Sequence, residues 1–441
     1  MLVNFFPSQN GNPTQSSIPY TGSPLLLCWA DARLFVKNAW SLVGIIHPWN
    51  QWLCGDLDEL YPSVPNLICL ALHGLLIVLQ LAFLTSLPFL VVFPVATVAM
   101  YIAGVLVLNF AVCWLLNGSE SSMESTVDLG SDRTRFKDER WIYLNGVSVG
   151  KHWLKGNLNR LALTFRRPIT GIHNRTYGII FDLIQCIIER NFIYPTMDIR
   201  NSYALIKDFV LSEGHTKIVL ILHSQGGIEG GLILDWLLSE IPHDVIHKLE
   251  IYTFGSAANH FNNPHRHSTY MRLSQSSTVT SHNTTAVHHI EHYASDGDFV
   301  ARWGVLSFAT MRNRYMGRIF VRSGMGHLLN QHYLNAMFPL DKNKRVCEDN
   351  SFMDAEVSFT SDGAAEKARD EVFETLLHNG NGGVSAIVED TCSPVEPVSL
   401  SRAESILAAE LTRKKPKVKD FSRLWEYRNG GIPDDQRWSS F

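Results

Sequence analysis

Residues 217–227 read KIVLILHSQGG. The apolar run Ile218 to Leu222 leads directly into His223, Ser224, Gln225, Gly226 and Gly227. A short apolar run rich in branched residues reads as a strand buried on both faces. The glycines behind it permit a sharp turn at little steric cost. Ile228, Leu232 and Trp236 then recur at helical spacing, so a helix follows. Strand, tight turn with a central serine, then helix is the nucleophile-elbow arrangement. It lifts the serine hydroxyl above the sheet and aims the first N–H groups of the helix at an oxyanion formed there.

The common elbow pattern is G-x-S-x-G, and here Leu222 stands in the place of the first glycine while Gly226 keeps the second. Two readings of Ser224 are therefore open. It is a nucleophile, or it is a helix N-cap, a position serine favours.

A serine needs a base to take its proton and a carboxylate to hold that base in the right tautomer. On an elbow scaffold these partners follow the serine in the order acid, then histidine, at the ends of later strands. After an expected strand ending at Tyr293 comes ASDGDFV, with Asp298 the preferred acid and Asp296 the alternative. A turn-capping role is open for either. After an expected strand at 318–322 comes SGMGH, with His327 the preferred base and His332 its rival in the next helix. The oxyanion donors are expected from Gln225, next after the serine, and from the loop at Gly146 and Val147 after the strand 141–144. Seven histidines between His260 and His292 show no zinc spacing, so neither metal nor cofactor is expected.

Around the elbow, strands at 141–144, 168–172, 217–222, 249–254, 286–293 and 318–322 alternate with helices at 151–165, 177–189 and 203–211. That rhythm predicts an α/β fold with a doubly wound, mostly parallel sheet over residues 141–345. Before it, no Asp, Glu, Lys or Arg occurs from Leu67 to Leu116. A bilayer crossing needs ~20 apolar residues. Two transmembrane helices, about 67–85 and 89–116, are expected within 66–117, with Pro94 kinking the second or marking its start. A buried soluble hairpin is the other reading. Region 1–65 opens with a loose polar tail. Its residues 30–54 crowd Trp40, Trp49 and Trp52 among apolar neighbours, which reads equally as an interfacial helix or as a segment packed on the main domain. Residues 118–140 read as a polar linker. Residues 346–441 read as a largely disordered tail, with a short helix at 401–411 and a basic cluster at 413–419 that is either solvated or in touch with anionic lipid.

With a net charge of −4 and no basic stripe, the chain lacks the signature of a nucleic-acid binder. Its seven cysteines are scattered without a C-x-x-C pair, which fits free thiols and a hydrolase domain on the cytosolic face of an undetermined organelle.

The stretches HSQGG (223–227), YTFGSAA (252–258), NGV (145–147), GIHN (171–174) and GHLLNQHYL (326–334) together resemble the α/β-hydrolase superfamily. The resemblance covers about 141–340 and is similar to uncharacterised fungal membrane proteins grouped with lipase- or esterase-like hydrolases. It implies a Ser-His-Asp hydrolase of ester or acyl substrates. With the hairpin beside it, the expectation is a membrane-anchored serine hydrolase acting in lipid metabolism. An acyltransferase or thioesterase with the same triad, and an inactive hydrolase-fold scaffold or binding protein, are the alternatives.

Overall fold

A computed structural model describes residues 2–9, 23–49, 55–265, 285–311, 314–359 and 415–435. The apolar run 218–222 lies in Lys217–His223, an interior strand of a nine-stranded sheet. The strands in chain order are β1 (Leu2–Phe6), β2 (Ser122–Glu124), β3 (Glu139–Leu144), β4 (Ile169–Ile172), β5 (Lys217–His223), β6 (Leu249–Phe254), β7 (His289–Ser295), β8 (Arg318–Arg322) and β9 (Glu356–Phe359). They are arranged β2-β4-β3-β5-β6-β7-β8-β1-β9. From β4 across to β8 every neighbouring pair is parallel, while β2 and β1 run antiparallel to β4 and β8. The side-chain period of two splits β5 between two apolar layers. Ile218, Leu220 and Leu222 enter one and Val219 and Ile221 the other. This is why the run is continuously apolar rather than alternating.

Among the described residues, seven helices of fourteen residues or more accompany the sheet: α1 (Pro24–Asn38), α2 (Val64–Ser86), α3 (Val95–Asn117), α4 (Lys151–Phe165), α5 (Ile179–Phe192), α6 (Met197–Leu211) and α7 (Gln225–Glu240). Residues of α1, α6 and α7 fill the first layer, and residues of α2, α3 and α4 the second. The expected α/β architecture with a mostly parallel sheet is therefore present.

Helices α2 and α3 are each long and apolar enough to cross a membrane. Only 28% and 17% of their most apolar windows are buried, so most of both helices faces outward. Pro94 marks the start of α3, at its N-cap, because its ring fixes φ there. The two helices are bolted to the rest of the fold by buried amides. Gln80 Nε2 donates to Asn109 Oδ1 (2.8 Å) and to Tyr177 O (2.6 Å), and Ile180 N donates to Gln80 Oε1 (3.1 Å). Asn117 exchanges two hydrogen bonds with Thr176. Gly178 has φ +97°, and a Cβ there would lie 2.1 Å from Gln80 Nε2, so only glycine fits.

Three expectations need correction. The N-terminal tail is not uniformly loose: in β1, Val3 and Phe5 turn inward while Leu2 and Asn4 face out, an alternation that docks it between β8 and β9. The polar linker contributes β2 at the opposite edge. The C-terminal region is ordered at 346–359 and 415–435, where Val418, Phe421, Leu424, Trp425 and Tyr427 are all buried. Few apolar residues suffice there because nearly all of them point inward, Ile432 being exposed. Lys415 pairs with Glu356, and Lys417 and Lys419 pair with Asp354, so these lysines contact carboxylates of the same fold. The expected helix at 401–411, with Arg413 and Lys414, lies outside the described residues, as do Trp52 and residues 360–400.

Candidate active site

Ser224 follows β5 and opens α7, with φ 58° and ψ −120°. A non-glycine residue held at positive φ costs on the order of 1–3 kcal/mol and persists only where its surroundings fix it. Here three backbone bonds do so. Ser224 N donates to Phe254 O (3.1 Å), and Ser224 O accepts from Gly227 N (3.0 Å) and Ala257 N (3.1 Å). Ser224 occupies the N-cap position, yet its hydroxyl makes no capping bond. The glycines explain the tight turn. A Cβ on Gly226 would lie 2.5 Å from Leu144 O, and one on Gly227 2.2 Å from Ser256 Oγ. Leu222, in place of the usual glycine, is accommodated from the far side: a Cβ on Gly230 would sit 2.3 Å from Leu222 Cδ1. The space a motif glycine would leave open is supplied by a glycine one turn into the helix.

Asp298 and His327 come together from the ends of β7 and β8. His327 Nδ1 lies 2.8 Å from Asp298 Oδ2. A carboxylate only accepts, so Nδ1 carries the proton. Asp298 also receives Val300 N on Oδ1 (2.9 Å) and Tyr333 Oη on Oδ2 (2.7 Å). Burial, and then Asp298 itself, push the Tyr333 phenol well up, so it stays a donor. His327 Nε2 is buried with no hydrogen-bond partner among the described residues. It is left with a lone pair for a proton. His223, next before the serine, stacks on the His327 ring at 4.7 Å and donates from Nε2 to His327 O (2.8 Å). Burial and the neighbouring His327 push the His223 imidazole down to about 3, so it packs there as a neutral ring.

The two alternatives are engaged elsewhere. Asp296 accepts from Ser323 Oγ and Gly324 N and so fixes the loop before His327. His332 accepts Leu328 N on Nδ1, and its Nε2 donates to Pro48 O.

Gly146 lies against the serine: a Cβ there would be 2.4 Å from Ser224 Cβ and 2.9 Å from Oγ. Its loop is pinned on both sides. Asn145 Nδ2 donates to Gly146 O and Asn174 O, and Ser148 N donates to Asp182 Oδ2. Val147 packs partly buried against the first layer. Gln225 lends its backbone to the start of α7, and its side chain is clamped between Asn174 Nδ2 (2.9 Å) and Glu189 Oε2 (2.9 Å). The same segment at 174–180 meets the amides of α2 and α3, so the apolar helices and the Gly146 loop share one support.

Sequence reasoning did not find Tyr333, His223, Asn174, Asp182 or Glu189 in these roles. Each acts through a contact spanning many residues, and no local spacing announces it. Behind the serine, Glu229 is buried with both carboxylate oxygens unbonded among the described residues. Burial pushes its carboxyl well up, with Glu189 adding to the effect. No group of three or more His, Cys, Asp or Glu is placed to hold a metal among the described residues, although His267 and His282 lie outside them.

Two predictions arise here. Gly226→Ala is expected to destabilise the fold by about 1–3 kcal/mol, as overpacking does, because its Cβ meets backbone that cannot swing aside. A thermal melt of the detergent-solubilised variant that matches wild type would rule this out. The second concerns pH. Burial raises Asp182 to about 6 and Glu189 to about 7. Both folded values lie above the unfolded ones, so the folded chain keeps protons that the unfolded chain releases. The resulting stability is full below about pH 4 and is lost as pH rises through 6 to 7. The melting temperature should fall between pH 5 and pH 8, and Glu189→Gln should flatten that fall; an unchanged slope in the variant would refute the assignment.

Compared with family models, curated proteins and solved structures, the chain has no match in any of the three.

Proposed function

We propose that this chain is a membrane-anchored serine hydrolase of the α/β-hydrolase type, cleaving lipid or acyl esters. The observation that carries the reading is the convergence of three chain segments. A serine at positive φ sits on a strand-to-helix turn, and a buried Asp298–His327 pair hydrogen-bonded at 2.8 Å comes from the ends of the next strands but one and two. In the proposed reaction Ser224 Oγ passes its proton to His327 Nε2 and bonds to the ester carbonyl carbon. The oxyanion is held by the N–H groups of Gln225 and of the Gly146–Val147 loop. The carbonyl re-forms as the alcohol leaves with the proton from His327, and water, deprotonated by His327, then releases the acid and restores the serine. Asp298 and Tyr333 keep the imidazole oriented throughout. The outward-facing helices α2 and α3 support anchorage in a bilayer, and proximity to that bilayer favours a lipid substrate.

One observation favours the scaffold alternative. Ser224 is only 2% exposed, and His327 Nε2 receives no hydrogen bond from it. Catalytic bonds are often loose without substrate and tighten on binding. A fluorophosphonate probe decides between the two. Labelling of the solubilised wild type that vanishes in Ser224→Ala supports the hydrolase. A folded wild type that takes no label supports the scaffold.

A further inference from the structure

We infer that the outer face of α1 and of the turn after it (Ala39–Ile45) seats on the surface of the lipid bilayer and presents the His327 loop to it. Leu27, Ala30 and Leu34 of α1 are buried in the first apolar layer, and Asp31 is locked to Arg190 at 2.8 Å. The helix therefore cannot roll to hide its other side. On that side Trp29, Val36, Trp40 and Val43 follow one another at helical spacing, with Trp29 and Trp40 each 65% exposed. Arg33 and Lys37 lie exposed among them, while Asp31, the one acid of α1, is buried. Exposed tryptophan and aliphatic side chains with basic residues and no exposed acid are the composition of an interfacial helix.

The surface is continuous with the proposed membrane helices. Helix α5 packs against both α1 and α2, and it exposes Ile184, Ile188 and Phe192. An apolar face of this extent needs a partner. A bilayer that takes α2 and α3 already lies alongside it, and the basic residues suit anionic headgroups. That combination selects a lipid surface over a second copy of the chain.

The face is wired to the candidate site. Gly326 N donates to Gly44 O (2.8 Å), and His327 N donates to Ile45 O (2.9 Å). Pro48 O accepts from His332 Nε2 (3.2 Å) and Gln331 Nε2 (3.3 Å). Met325, in the same loop, is exposed. Seating the segment thus places the backbone that holds His327 at the lipid surface. The docking surface stands on these contacts alone; its kinetic consequence rests on the proposed hydrolysis.

The test uses the full chain reconstituted in phosphatidylcholine vesicles with and without phosphatidylserine. Trp29→Ser/Val43→Ser changes only exposed side chains, and its melting curve checks folding. Fluorescence quenching by nitroxide-labelled lipid should lose the Trp29 component in the variant. Hydrolysis of a vesicle-borne diacyl ester should fall about 10-fold, the loss expected from removing roughly 50 Å² of apolar contact, while hydrolysis of a soluble short-chain nitrophenyl ester stays unchanged. Equal quenching in wild type and variant overturns the docking surface, as does chemical cross-linking that pairs two chains through Trp29. A quenching difference in a protein that hydrolyses neither ester retains the docking surface and removes the hydrolase reading.

Discussion

On the proposed mechanism, Ser224→Ala is expected to lower ester hydrolysis about 10⁶-fold, and Asp298→Asn about 10⁴-fold, the scale on which triad members act. The two losses have different origins. Alanine removes the atom that, in this mechanism, bonds to the substrate carbonyl. Asparagine keeps the shape but places an N–H where Oδ2 now accepts from both His327 Nδ1 and Tyr333 Oη. If the amide nitrogen faces the ring, Nδ1 must become the acceptor, and the proton moves to Nε2, where it blocks proton transfer from the serine. The amide can rotate to present its oxygen, but its nitrogen then takes the place of Oδ1, which Val300 N occupies as a donor. Either orientation spoils one bond. Tyr333→Phe should cost far less, because Asp298 keeps its other two donors. Rates of fluorophosphonate labelling and of ester hydrolysis measure all three variants. An Asp298→Asn enzyme within tenfold of wild type would remove Asp298 from the triad.

Arg423→Ala is expected to cost 3–5 kcal/mol of stability, in line with the removal of one partner from a buried ion pair. Arg423 and Glu250 are both almost wholly buried, with Nη2 2.9 Å from Oε1. Tyr252 and Tyr427 donate to the other oxygen of Glu250. Burial opposes ionisation of Glu250, but Arg423 and then Lys217 outweigh it and hold the carboxyl well below its usual range. Without Arg423 that charge stays inside the protein with Lys217, 3.7 Å away, as its ion-pair partner. The backbone N–H groups of Arg423 and Leu424 also bond Glu291, so the C-terminal segment is fastened to β6 and β7 together. Pairing Arg423→Met with Glu250→Gln should recover much of the loss, since the charges that then lose a partner, on Lys217 and Asp435, both reach solvent. The comparison is read from melting curves of the single and double variants in detergent. A single variant as stable as wild type would refute the account.

What could be read from the sequence followed local pattern. The run 218–222, the glycines behind Ser224 and the uncharged span 67–116 each carry their signal within a few turns of chain. The order serine, aspartate, histidine along the strand ends selected Asp298 and His327 over Asp296 and His332, and the geometry pairs the same two. The missed parts are long-range. Tyr333 reaches Asp298 across 35 positions and Gln225 reaches Glu189 across 36. Strand β1 is five residues long, too short for its alternation to stand out in a polar region. The ordered C-terminal piece has a polar composition because its apolar side chains are few, with Val418, Phe421, Leu424, Trp425 and Tyr427 turned inward and Ile432 exposed.

The position of β1 bears on how the protein is made. It pairs with Arg318–Arg322 on one side and Glu356–Phe359 on the other, while α2 and α3 lie between them in the chain. During synthesis the strand emerges more than three hundred residues before its partners. Until then it is an unpaired apolar edge, the kind of segment that invites aggregation. The helical hairpin is complete long before the sheet can close. If the hairpin inserts first, β1 and everything after α3 must wait on one side of the bilayer, tethered within reach of each other. Membrane insertion would then shorten the search that a strand with such distant partners otherwise faces, and sheet closure would become the slow, late step of biogenesis.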